Sequence, residues 1–290
     1  MSAGSLRVGD AVLKYHVVGT GDPVVFLHCT GGSGRQWTEF AEALRAKFLV
    51  IAPDLCGYGD TTHWGGAGTF NLAVEADLIA ALVGELKTPA HIVGHSYGGA
   101  VALQLALRHP RHLKSLTLIE PAAFHLLRGG DEIDERALMR ISEVAATIAN
   151  AVNCGDYFGA MRRFVDYWNG EGAWNALPGP QRIALVSKIG KITLDFWATL
   201  NDPVRPRDLV EVLAPTLIIS GGRSPLTPRR ICSHLVRGIP DAKLRTIAAA
   251  GHMLPLTHLD EVLPLIVNHW DVERQHDSTR RGEVETRAVA

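Results

Sequence analysis

The stretch "IVGHSYGGA", Ile92 to Ala100, decides how the rest of the chain reads. The apolar run "AHIVG" leads into it, and the helical pattern "GGAVALQLALRH" leads out of it as far as Pro110. Between them, Gly94-His95-Ser96-Tyr97-Gly98 is a G-x-S-x-G match in a strand–turn–helix frame. The glycines have a physical reason. On so tight a turn the residues two before and two after the serine approach each other, and side chains there would clash. The turn lifts Ser96 Oγ out of the sheet beside the start of a helix. The helix dipole and unbonded N–H groups at that end favour a developing negative oxygen. An incidental serine in a glycine-rich turn would have no need of this frame.

Working outward, the pattern is strand, helix, strand, helix. "LRVGDAVLKYHVVGTG" alternates and turns at Gly9-Asp10, a hairpin signal. "VVFLH", "LVIAP" and "LKSLTLIE" are short continuous apolar runs, suited to strands buried on both faces. Helical spacing fills the gaps. Trp37, Phe40, Ala41, Leu44 and Phe48 share one face, and Asn71 can N-cap a helix to Leu86. This predicts an α/β fold with a mostly parallel, doubly wound sheet. After Pro121 the alternation stops. Residues 123–205 carry helical periods and many aromatics, and then "PTLIIS" and "KLRTIA" restore the strands. The expected organisation is a core of residues 1–122 and 206–271, a helical insertion at 123–205, and a polar, disordered tail at 272–290.

Composition narrows the function classes. The 290 residues are 47% hydrophobic and 20% charged, with a formal net charge of −1, so no electrostatic footprint for nucleic acid or an acidic membrane surface exists. No apolar run approaches the roughly 20 residues that span a bilayer, and the N-terminus lacks a secretory pattern. The four cysteines, Cys29, Cys56, Cys154 and Cys232, lie too far apart for a metal or redox motif. Free thiols and a cytoplasmic location are expected, with no metal, no cofactor and a small-molecule substrate.

A serine hydroxyl needs a base. Among thirteen histidines, His252 in "AAAGHMLPLTH" stands out, because it follows the last strand run at the sheet end where catalytic groups gather. His95 adjoins Ser96 but points another way on a sharp turn, and His28 is expected to tie loops together. "LHCTGGSG" follows another strand, and its glycines let backbone approach a substrate. The backbone N–H groups of Thr30 and Tyr97 are the candidate oxyanion donors.

Together "LHCTGG", "VIAPDLCGYGDT", "GHSYGG" and "AGHMLPLTH" resemble the α/β-hydrolase family, over roughly Leu6 to Trp270. The likeness is to its lid-bearing branch of esterases, carbon–carbon bond hydrolases, haloalkane dehalogenases and epoxide hydrolases. It implies that residues 123–205 form a cap over the site. Two departures matter. The loop that usually reads His-Gly reads His28-Cys29, and the aspartate usual after "LIIS" is replaced by Ser224. The histidine still needs an acid to fix its tautomer and stabilise the imidazolium. Glu120 ends "LTLIE", 24 residues after Ser96. Resemblance to some haloalkane dehalogenases, whose acid is a glutamate at this strand end, implies a Ser96–His252–Glu120 triad.

A serine at the elbow argues against dehalogenase and epoxide chemistry, which need a carboxylate there. Attack on an ester-type carbonyl through an acyl-enzyme is the leading expectation. Cleavage of a diketone carbon–carbon bond on the same triad is the alternative, and a non-catalytic ligand-binding protein is an alternative of another class. Insertion aromatics should line an apolar pocket. Phe124, Phe164, Trp168 and Trp197 are the candidates there, with Trp37 from the core.

Overall fold

A computed structural model gives the fold and describes residues 1–65 and 68–271. The expected tail at 272–290 lies outside the described residues. The alternating N-terminus forms an antiparallel hairpin, β1 (Ser2–Val8) and β2 (Ala11–Val18), turned by Gly9 at φ 57°. Then come β3 (Asp22–Leu27), β4 (Phe48–Pro53), β5 (Ala90–His95), β6 (Leu113–Ile119), β7 (Thr216–Gly221) and β8 (Ala242–Ile247). The sheet order is β1-β2-β4-β3-β5-β6-β7-β8. β2 runs antiparallel to β4, and the other neighbours from β4 to β8 are parallel.

Continuous apolar strands fit this sheet because side chains alternate between two buried faces. From β3, Val24 and Phe26 enter one core and Val25 and Leu27 the other. The first core is closed by α1 (Thr38–Leu44) and by a helix over residues 259–271, labelled α11, through Phe40, Ala41, Val262, Ile266 and Trp270. The second is closed by α2 (Leu72–Glu85), α3 (Tyr97–Arg108) and α9 (Leu226–Gly238). Each large apolar side chain buried this way is worth about 1.5–3 kcal/mol.

Helix caps follow sequence chemistry. Asn71 Oδ1 accepts the Val74 N–H at 3.1 Å, which fixes the start of α2. One expectation shifts. The apolar face from Trp37 to Phe48 is split between a 3-10 turn at Gly34–Trp37 and α1, and Phe48 opens β4 instead. Pairing of Phe48 with Asp22 in the parallel ladder outweighs continuation of the helix.

Between β6 and β7 the described chain contains helices and no strand: α4 (Glu132–Asn153), α5 (Tyr157–Asn169), α6 (Ala173–Ala176), α7 (Gly179–Val186) and α8 (Ile189–Leu200). α4 buries Ala137, Ile141, Val144 and Ile148, one stripe at helical spacing. Asp131 and Asp134 form a capping box at its start. Asp134 also accepts hydrogen bonds from Arg230 Nε at 2.7 Å and His234 Nε2 at 2.8 Å, both on α9. Burial alone would raise the Asp134 pKa, but these partners hold it at about 2. A short helix, α10 (Leu254–Thr257), follows the loop after β8. Among the described residues no helix is long and apolar enough to cross a membrane.

Candidate active site

β5 ends in the elbow, and α3 begins directly after it. Ser96 sits between them at φ 54°, ψ −115°, a backbone region that non-glycine residues rarely adopt. A Cβ on Gly94 would lie 2.3 Å from the Gly98 carbonyl oxygen, and one on Gly98 would lie 2.4 Å from that of Leu27. Only glycine fits either place. The Ser96 N–H donates to Ile119 C=O at 3.0 Å, and its C=O accepts the Ala122 N–H at 2.9 Å. The strained residue is therefore tied to the end of β6 from both sides.

The structure brings Ser96, His252 and Glu120 together. His252 Nε2 lies 3.0 Å from Ser96 Oγ, and Nδ1 lies 2.7 Å from Glu120 Oε2. A carboxylate only accepts, so Nδ1 carries the proton and Nε2 is free to take one from the serine. Glu120 is fully buried, with φ 42° at the end of β6. Its Oε1 accepts the Gly221 N–H at 2.6 Å and the Ser220 hydroxyl at 3.3 Å. Burial would push its pKa up. The His252 ring N–H and the Gly221 N–H stabilise the anion more, and the net shift is downward. Ser224 is buried nearby, close enough to favour the charged carboxylate, yet its hydroxyl makes no hydrogen bond of good geometry among the described residues.

The neighbouring histidines hold loops. Gln36 Nε2 donates to His95 Nδ1 at 3.0 Å, so His95 donates from Nε2 to His252 C=O at 2.9 Å. Gln36 Oε1 accepts the Cys29 N–H at 3.0 Å. His28 Nε2 accepts the Leu55 N–H at 2.9 Å, and Nδ1 donates to Cys29 C=O at 2.8 Å. Burial lowers the His95 pKa to about 3 and that of His28 to about 4, so both stay neutral. The Cys29 thiol is pushed up to about 12 by burial and stays protonated.

Thr30 lies on the loop after β3, and Tyr97 is the first residue of α3, where a backbone N–H has no intrahelical acceptor. No hydrogen bond engages the Thr30 N–H among the described residues. A cavity of about 520 Å³ opens over Ser96, His252 and Thr30. Phe124, Phe164, Trp168, Leu177, Phe196 and Leu256 supply apolar wall, mostly from the helices between β6 and β7. Trp168 stacks on the His252 ring, with centroids 4.1 Å apart and planes 25° apart.

Two expected pocket residues lie elsewhere. Trp37 is fully buried in the core under α1, packed on Phe26 at 4.9 Å and Phe40 at 5.1 Å, and does not line the cavity. Trp197 is 52% exposed, because one helical step of about 100° from Phe196 turns it outward. Sequence reasoning also missed Gln36, Glu75, Lys191 and Asp195. The one visible signal was Lys191 and Asp195, an i, i+4 charge pair within an apolar helical run.

A sequence model described as the alpha/beta hydrolase fold matches residues 22–259. The chain belongs to the alpha/beta hydrolase family. It is 30% identical over 268 residues to the "dihydrolipoyllysine-residue acetyltransferase component of acetoin cleaving system" of Pseudomonas putida, covering 88% of this chain and 66% of that protein. It is 29% identical over 245 residues to a "pimeloyl-[acyl-carrier protein] methyl ester esterase" of Neisseria meningitidis, covering 82% of this chain and 89% of the esterase. Among solved structures, an alpha/beta hydrolase enzyme from a Medee basin deep-sea metagenome library superposes with a TM-score of 0.76 at 18% identity, covering 92% of this chain and 97% of that one. At that identity the superposition speaks for the hydrolase fold alone.

Proposed function

We propose that this family member is a serine hydrolase that cleaves an ester-type acyl bond of a small, hydrophobic substrate. The observation that carries the reading is the Ser96–His252–Glu120 hydrogen-bonded relay at the floor of the apolar cavity. Ser96 Oγ attacks the acyl carbonyl as its proton passes to His252 Nε2. The carbonyl oxygen gains the negative charge and receives hydrogen bonds from the Thr30 and Tyr97 N–H groups. Collapse expels the alcohol, which takes the proton from His252. Water then repeats the sequence on the acyl-enzyme, giving up a proton to His252 and releasing the acid. Glu120 holds the imidazole tautomer and stabilises the imidazolium in both halves.

Residues 123–205 act in this reading as a cap whose aromatic side chains exclude water and select apolar acyl groups. Hydrolysis is favoured over acyl transfer because relatives named as an esterase, a carbamate hydrolase and a lipase all match over more than four fifths of this chain. No cofactor enters any step.

The test is labelling with a fluorophosphonate, with the modified residue mapped by mass spectrometry, beside a panel of p-nitrophenyl esters, lactones and one diketone. Labelling at Ser96 with ester turnover is expected. A folded protein that neither labels nor turns over any ester would be a binding module instead, and turnover of the diketone alone would make it a carbon–carbon bond hydrolase.

A further inference from the structure

Lys188, the residue before α8, and Asp195 within α8 touch the loop after β3 at two successive residues. Thr30 Oγ1 donates to Asp195 Oδ2 at 2.9 Å, and Lys188 Nζ donates to Gly31 C=O at 2.6 Å. Behind Asp195 lies a buried ion cluster. Lys191 Nζ binds Asp195 Oδ1, and it also binds Glu75 Oε1 at 3.2 Å. The side chains of Lys191, Asp195 and Glu75 are 4%, 2% and 1% exposed, so these charges interact with little help from water.

The cluster extends to both proposed oxyanion donors. Tyr97 OH donates to Glu75 Oε1 at 3.1 Å, and the Lys191 ammonium lies 4.4 Å from the Tyr97 ring centre. Tyr58 OH donates to Asp195 Oδ2 at 2.6 Å, beside the Thr30 hydroxyl. Thus the side chain of Thr30 ends on Asp195, that of Tyr97 ends on Glu75, and Lys191 joins the two carboxylates. The backbones of Thr30 and Tyr97 belong to different connections, one after β3 and one after β5.

Stability alone is a poor account of this arrangement. Two carboxylates face one ammonium, and burial opposes charge on all three groups. Replacing a buried ion group by apolar packing of similar volume is often neutral or even stabilising. What such a group supplies is fixed direction, since each hydrogen bond in it is short-ranged and angular.

We propose that Asp195, Lys191 and Glu75 are positioning residues of the oxyanion hole, holding the Thr30 and Tyr97 N–H groups in register so that α8 completes the hole. The proposal rests on the serine-hydrolase reading. It places the cap within the oxyanion machinery. A displacement of α8 withdraws Asp195 from Thr30 and loosens one of the two donors.

The decisive variant is Thr30→Val, which keeps the backbone N–H and the side-chain shape and deletes only the hydroxyl that meets Asp195. With a p-nitrophenyl ester, kcat falls roughly ten- to a hundredfold, as for a small misplacement of a catalytic group. KM stays within about twofold, because the lost interaction belongs to the transition state. Affinity for a trifluoromethyl ketone, which forms a tetrahedral oxyanion on the serine, falls by a similar factor. Thr30→Ser, with the hydroxyl retained, restores both. Asp195→Asn is the second variant and follows the same split if the folded protein is recovered. Parent-like kcat and ketone affinity in folded Thr30→Val overturn the proposal, as does a loss that Thr30→Ser fails to restore. The parent's fluorophosphonate labelling separates the two levels. A parent that labels at Ser96 with an indifferent Thr30→Val refutes the positioning role alone, and an unlabelled, inactive parent refutes both readings.

Discussion

At φ 42° Glu120 occupies backbone space that favours glycine, and Ser96 at φ 54° does the same. Each such residue costs about 1–3 kcal/mol and persists only where its surroundings over-determine it. Here the surroundings are a pair of adjacent strand ends, and the side chains converge on His252. Glu120→Gln is expected to lower kcat by roughly a hundredfold or more, because the amide can offer an N–H where Nδ1–H needs an acceptor. Ser224→Ala is expected to leave kcat near that of the parent, since the Ser224 hydroxyl makes no hydrogen bond of good geometry. The reverse ranking in an ester assay on folded variants would refute Glu120 as the acid of the relay. Both positions were legible in "LTLIEP" and "LIISGGRSP", Glu120 as the candidate acid and Ser224 as the place the usual aspartate had left, because strand ends are visible as the end of an apolar run. Trp37 and Trp197 were not. Periodicity gives a residue's face but not which layer the face meets, and adjacent aromatics on one helix cannot both point into one cavity.

Elements were easier to read than contacts. The parallel strands, the first hairpin and the Asn71 N-cap follow from apolar runs, turn residues and capping chemistry. The helical stretch between β6 and β7 was legible as a loss of alternation, but its docking was not, because it depends on pairs distant in sequence. Asp134 on α4 and Arg230 on α9 are 96 residues apart. Their joint is testable at its own scale. A carboxyl with a depressed folded pKa contributes stability that is fully present above its unfolded value and lost as pH falls through the folded one. For Asp134 those limits are about 3.9 unfolded and about 2 folded. Asp134→Asn is therefore expected to cost about 1.5–3 kcal/mol at neutral pH, the worth of hydrogen bonds to a charged group. The gap from the parent should close as pH falls from about 4 to about 2. Urea unfolding at several pH values measures it, and a gap that does not change with pH would show that packing, not charge, joins α4 to α9.

For the molecule as a whole, the buried cluster of Glu75, Lys191 and Asp195 joins α2 to α8 through one ammonium. Lys191→Met leaves two buried carboxylates without their cation, and a loss of about 3–5 kcal/mol is expected. Adding Asp195→Asn and Glu75→Gln to it should recover much of that loss, since no charge then remains unpaired. Equal stability of the single variant and the parent, by urea unfolding, would mean that water reaches the cluster.

The chain order of the relay has a consequence in time. Ser96 and Glu120 leave the ribosome early, whereas His252 follows Glu120 by 132 residues, with all of α4 to α8 between them. At typical synthesis rates that is a delay of roughly 7–26 s. During it the nascent chain carries Ser96 and Glu120 but not His252, so its serine lacks its base and is an ordinary hydroxyl. In the proposed reading, reactivity arrives only when β8 and the loop after it dock. A chain cut short before that point would be inert toward acyl groups, whatever part of the sheet it had built.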